Sequence, residues 1–226
     1  MTTSGTYNFG PELGSLFLNA FSRIQVKPPS IVAQHMFDAR LEANLLQAEW
    51  VNSGLELWLE DTQTINLISG TATYNVPANT IMILDLYVTP TGGSNRLLLP
   101  FSRTDYASLA TPLQQGFPTS FFFLRTVNPT ITFWPTPDSA NTYVVTYWRY
   151  RQIQDAVPGQ GGNADLQYRF LDAYTAGLAH RLSRHYAPAL EQQRKADYDI
   201  AFGLAMKQDT ENVGLYITPG LASFFR

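Results

Sequence analysis

Two patterns of apolar spacing divide the chain. Leu13, Leu16, Phe17, Ala20, Phe21 and Ile24 recur at helical intervals and share one face. Gly10-Pro11-Glu12 predicts the start of that helix. Proline loses nothing in a first turn whose N–H groups lack partners, and glutamate favours the positive helix end. Pro28-Pro29 ends the element, and Ser30 is placed to cap a second helix. There Val32, Met36, Ala39, Ala43, Leu46 and Trp50 recur in steps of four and three. Asp38, Glu42 and Glu49 are expected on the other side, with Gly54 as the stop.

After Gly54 the pattern alternates. Leu55, Leu57 and Leu59 begin it, and later runs are rich in Ile, Val, Thr, Tyr and Phe between Gly, Pro and Asn turns. Residues 81–88 are apolar on both faces, as in a strand covered on both sides. Thr91-Gly92-Gly93-Ser94-Asn95 and Pro137-Asp138-Ser139-Ala140-Asn141 are turn signals. Residues 102–109, with Asp105, predict a short helix within a small antiparallel sandwich. Residues 154–163 read as a flexible connection.

Helical spacing then returns. Leu171, Tyr174, Leu178, Leu182 and His185 form a stripe, with Ala173, Ala176 and Gly177 beside it allowing close approach by another helix. Ala187-Pro188 breaks the chain before a fourth helix over about 189–208, and the pattern lapses from Asn212. The expected fold class is α+β. Residues 1–60 and 160–211 form a discontinuous helical domain of about four helices drawn from both chain ends. Residues 61–153 form an inserted antiparallel β-sandwich, and residues 212–226 an extended C-terminal tail.

Composition narrows the function. Only 15% of the 226 residues are charged, against about 25% in typical soluble domains. A thinly charged surface suits a chain covered by neighbours. The net charge is −3 and the arginines are scattered among acids, whereas tight duplex binding needs gathered cations to neutralise phosphates. The absence of cysteine excludes disulfides and thiolate metal sites. No basic segment followed by an apolar run marks a signal peptide, and no run approaches the roughly 18 apolar residues of a membrane span.

Catalytic constellations are missing. His180 and His185 lie five apart, so on a helix they diverge, and His35 belongs to another helix. Gly159-Gln160-Gly161-Gly162 lacks the Lys-Ser/Thr of a phosphate loop. Glu60 and Asp61 are adjacent, so on a strand they face opposite ways. Gly14-Ser15 falls inside a helix rather than on a nucleophile elbow. No catalytic residue, cofactor or metal ion is expected.

The remaining signals concern contact. Trp134, Tyr143, Tyr147, Trp148 and Tyr150 crowd the end of the β region, and Phe121-Phe122-Phe123 puts aromatics on both faces of one strand. Core packing accounts for most of them, and subunit contact could cover a second face, since aromatics are enriched at interface centres. In the tail, Leu215, Tyr216, Ile217, Leu221, Phe224 and Phe225 are large apolar residues on a segment with too much glycine and proline to continue as a helix. They are the candidate partner-binding residues.

Thr73-Tyr74-Asn75-Val76-Pro77, Gly116-Phe117-Pro118-Thr119, the stretch 131–138 and the stretch 143–150, in this order between helices, resemble the head–tail connector adaptors of tailed bacteriophages. That group includes the tail tubular protein A of short-tailed phages. The resemblance covers most of the chain. It implies a non-enzymatic structural protein of the virion, present in the host cytoplasm during assembly. It also implies a ring, commonly of twelve copies, between the portal protein and a lower tail or nozzle protein. The helical part and the tail would meet the portal, and double-stranded DNA would pass through the lumen during ejection without tight binding. The alternative is a carbohydrate-binding sandwich module of a tail or surface protein, with Trp148 and Tyr150 as stacking platforms; it leaves the helical flanks and the tail unexplained.

Overall fold

The computed structural model describes residues 3–7, 9–54, 57–157, 162–207 and 209. In chain order it contains α1 (Leu13–Arg23), α2 (Ala33–Asn52), β1 (Glu60–Leu67), β2 (Thr73–Asn75), β3 (Thr80–Pro90), β4 (Arg96–Leu97) and β5 (Leu99–Pro100). The short α3 (Arg103–Ala107) precedes β6 (Gln115–Gly116), β7 (Ser120–Leu124), β8 (Thr130–Trp134), β9 (Thr136–Pro137) and β10 (Tyr143–Arg151). The helices α4 (Leu171–Tyr186) and α5 (Glu191–Met206) follow. The protein is therefore mixed α+β, with five α-helices among the described residues.

Burial separates two apolar clusters. One is built by α1, α2, α4 and α5 and centres on Phe17, Phe21, Leu46, Trp50, Phe170 and Tyr174. Helix α4 is buried nearly all round, because Ala173, Ala176, Gly177 and Ala179 let its neighbours close in. Gly177 is required there: an added Cβ would lie 2.8 Å from the Tyr198 ring and 2.9 Å from Leu46. The other cluster draws Leu86, Val88, Val145 and Tyr147 from one four-stranded sheet, ordered β1-β10-β3-β4, and Phe121, Ile131 and Phe133 from a second, ordered β2-β8-β7-β5.

The first sheet is antiparallel throughout. In β10, Tyr143, Val145 and Tyr147 point into the core and Val144, Thr146 and Trp148 outward. Two short pairs, β5 with β7 and β6 with β9, are parallel instead. For β5 and β7 the reason is the connection: α3 and its flanking turns carry the chain over before β7 begins, and parallel neighbours need such a crossover. Helix α3 starts as the sequence suggests, with Ser102 accepting from the Asp105 N–H (3.1 Å) and Asp105 accepting from the Ser102 N–H (3.1 Å).

Several local expectations need correction. Ser30 does not cap α2; Pro28-Pro29-Ser30 is a 3₁₀ turn whose serine hydroxyl donates back to the Lys27 carbonyl. Helix α2 begins after Val32, whose N–H donates to the His35 ring (3.2 Å). Asp38, Glu42 and Glu49 do not lie opposite the buried face of α2. They lie on its flank, where Tyr186, Arg181 and His185 of α4 hold them. Of the alternating leucines, Leu55 lies outside the described residues, and Leu57 and Leu59 do not begin a strand. Leu57–Leu59 is a 3₁₀ turn, since Trp58 packs on Phe170 (ring centres 4.8 Å apart) and pulls the chain onto the helical cluster. The described ends of the connection over 154–163 are tied down: Ala156 N–H donates to Asn44, Gln154 N–H to Asp165, and Leu13 N–H to the Gly162 carbonyl.

Candidate functional site

The charged groups of strand β10 show what the polar side chains of this protein are for. Arg149 is 4% exposed, and each of its three guanidinium nitrogens donates a hydrogen bond. It donates twice to Asp61 (2.6 and 2.9 Å), and also to Asn79 and Thr80. The clamp ties β10 to β1 and to the start of β3. Two residues on, Arg151 donates twice to Asp165 (2.6 and 3.1 Å), joining the β region to the segment that enters α4. Both carboxylates sit below the ordinary value of 3.8. For Asp61 the leading cause is the Arg149 hydrogen bond; for Asp165 burial pushes up, and the bonds from Arg151 and Gln154 outweigh it.

These depressed values carry a pH dependence. A carboxylate whose folded pKa lies below its unfolded one stabilises the fold above the unfolded value, and that contribution is lost as pH falls through the folded one. The melting temperature should therefore hold from pH 7 to about 5 and decline below about 4. Asp61→Asn and Asp165→Asn should each lower it at pH 7 and flatten the acid limb, measured by circular dichroism melts across pH 3–7.

The histidines are occupied separately. His35 stacks on Tyr186 (4.5 Å) and His185 faces Glu42 (3.2 Å). His180 is buried beside Tyr198, and burial, then the Arg184 charge, pushes its pKa below the usual histidine value. The Tyr186 hydroxyl donates to Asp38, and burial followed by that carboxylate raises its pKa to about 12. Among the described residues no group of three or more His, Cys, Asp or Glu side chains is placed to hold a metal ion. No described helix is long and apolar enough to cross a membrane. Glu60 and Asp61 diverge on β1, and Asp61 is consumed by Arg149.

Part of the outward surface of the described residues is apolar. Helix α2 buries Ala39, Ala43, Leu46 and Trp50. On the opposite side Phe37, Leu41 and Leu45, one turn apart, are 63%, 51% and 47% exposed. The sequence reading followed a single stripe along this helix and missed the second, although its i, i+4, i+8 spacing is plain in the chain. Ile200 and Leu204 form a similar exposed pair on α5. Trp148 is 37% exposed on the outer face of the first sheet, against Tyr87 (5.4 Å). Phe122 stacks on Tyr106 of α3 (5.2 Å), which covers the second face of β7. Leu215, Tyr216, Ile217, Leu221, Phe224 and Phe225 lie outside the described residues, as does most of the glycine-rich loop.

Several charges are thus tied up in clamps within the fold, while α2 and α5 each leave apolar side chains exposed as contact surface. Residues 33–219 match the family described as SU10 adaptor protein, and the chain belongs to that family. It is a structural phage adaptor and a virion component. No curated protein sequence matches it.

Proposed function

We infer that this chain is the head–tail connector adaptor that forms a ring, of twelve copies, between the portal and the lower tail or nozzle protein, and that DNA passes through its lumen during ejection. The observation that carries the reading is the family match, which runs from α2 across the β region and beyond α5 to residue 219. Within this reading the protein resembles the tail tubular protein A group and has no enzymatic role. Its helical domain comprises residues 1–60 and 160–211, with the sheets of residues 61–153 as a sandwich inserted between them. Packing of α1 and α2 against α4, and the pairing of Glu60 with Tyr150 at the root of the insert, support that division. The tail, residues 212–226, docks on the portal or on a neighbouring subunit through Leu215, Tyr216, Ile217, Leu221, Phe224 and Phe225.

Electron microscopy of the purified protein, with and without portal rings, tests the reading. A ring seated on the portal is the expected image. Monomers that ignore the portal would refute it. The free protein should also bind duplex DNA only weakly at physiological salt, because its net charge is −3 and most described arginines are already paired to acids. Submicromolar binding with a steep salt slope in a fluorescence titration would contradict the passive lumen.

A further inference from the structure

Helix α2 has two apolar faces, and its own chain covers one. The outer face, Phe37, Leu41 and Leu45, carries no charge along three turns. The acids of the helix are turned to α4, and the exposed Arg40 at the edge of the strip forms no ion pair among the described residues. Such a helix is built to be packed on both sides.

A matching surface lies elsewhere on the same molecule. Between α1 and α5 runs a groove of about 360 Å³, floored by Ala176 of α4 and walled by Ile200 and Leu204 of α5. Its rims are self-compensated: Arg23 pairs with Asp172 (2.7 Å) and Arg194 with Asp197 (3.1 Å).

The placement of the two surfaces decides the partner. On α4, Tyr174, Arg181 and His185 face α2, whereas Asp172 and Ala176 face the groove. At roughly 100° per residue, Ala176 is turned about 140–160° from Tyr174 and Arg181. The strip and the groove therefore lie on opposite sides of one central helix. Two unlike patches on opposite sides of a subunit make a head-to-tail contact, which gives a ring when the rotation between copies closes, whereas a two-fold dimer would require one patch that matches itself.

We propose that the outer strip of α2 packs into the α1–α5 groove of the next copy of this chain, with Phe37 as the knob. The proposal rests on the ring reading above and adds the lateral seam. The protein contains no cysteine, so engineered thiols report without background. Virus particles would be assembled with Leu41→Cys, with Ile200→Cys, with an equal mixture, and with the double variant, then treated with a short bis-maleimide. Single variants should stay uncrosslinked, the mixture should give dimers, and the double variant a ladder of multimers. Dimers from Leu41→Cys alone would overturn the proposal, as would crosslinks from either thiol to the portal or to another tail protein. Rings visible by microscopy without crosslinks would sink the seam and leave the ring reading standing; particles in which the wild-type chain forms no ring would sink both. Independently, Phe37→Asp should lower occupancy of the chain in particles roughly tenfold or more while the free chain melts as before. Unchanged occupancy would refute the role of Phe37.

Discussion

Deleting residues 214–226 is expected to abolish attachment to the portal while leaving the melting of the free chain unchanged. The segment carries Leu215, Tyr216, Ile217, Leu221, Phe224 and Phe225, and Pro219-Gly220 interrupts any helix through it. Burying one Phe is worth roughly 1.5–3 kcal/mol, so Phe224 and Phe225 together can anchor a short arm. Ordering its backbone costs about 1–2 kcal/mol per residue before new hydrogen bonds offset it, so a single arm binds modestly. A ring multiplies the effect, because each further arm docks at high effective concentration once the first is seated. The measurement is occupancy in purified particles beside a thermal melt of the truncated chain. Normal occupancy, or outright unfolding of the truncated protein, would assign the segment to its own domain instead.

The second large effect concerns stability. Trp50→Ala should cost about 3–5 kcal/mol and lower the melting temperature by an amount on the order of 10 °C. Trp50 is fully buried where α2 meets α4 and α5, with Phe170, Tyr174 and Phe202 around its ring at 5.6–5.8 Å. Its indole N–H donates to the Tyr198 hydroxyl (2.8 Å), which the substitution would leave without that donor inside the core. Trp50→Phe keeps most of the ring packing and removes the donor, so it should cost only about 1–2 kcal/mol. Equal losses from the two variants, measured by denaturant titration, would mean that the hydrogen bond and not the packed volume dominates.

The periodicity of the helices was legible because burial on one side repeats every three or four residues. Leu13, Phe17, Ala20 and Phe21 needed no tertiary information. The start of α3 was legible from Ser102 and Asp105, a capping pair that acts within one turn. What escaped were features decided across the chain. Trp58 turns Leu57–Leu59 into a 3₁₀ turn because Phe170, far along the sequence, offers it a stacking partner. The acids of α2 look like a solvent face until Arg181 and His185 arrive from α4. Phe37, Leu41 and Leu45 form a second apolar stripe on α2, which the single-stripe pattern of an amphipathic helix does not anticipate. The clamps of Arg149 and Arg151 join acids 88 and 14 residues away, separations that spacing rules cannot reach.

The pairing of Glu60 with Tyr150 bears on the order in which the chain folds. Helices α2 and α4 belong to one core, yet they are separated in sequence by the entire β region. Bringing them together in an otherwise unfolded chain means closing a loop of more than about a hundred residues, at an entropy cost that rises with the logarithm of its length. Once β1 lies against β10, that loop is closed in advance, and the free lengths between strand and helix are short on both sides. The β1–β10 pairing thus acts as a hinge pin: it shortens the free chain that the two halves of the helical core must span to the segments between strand and helix.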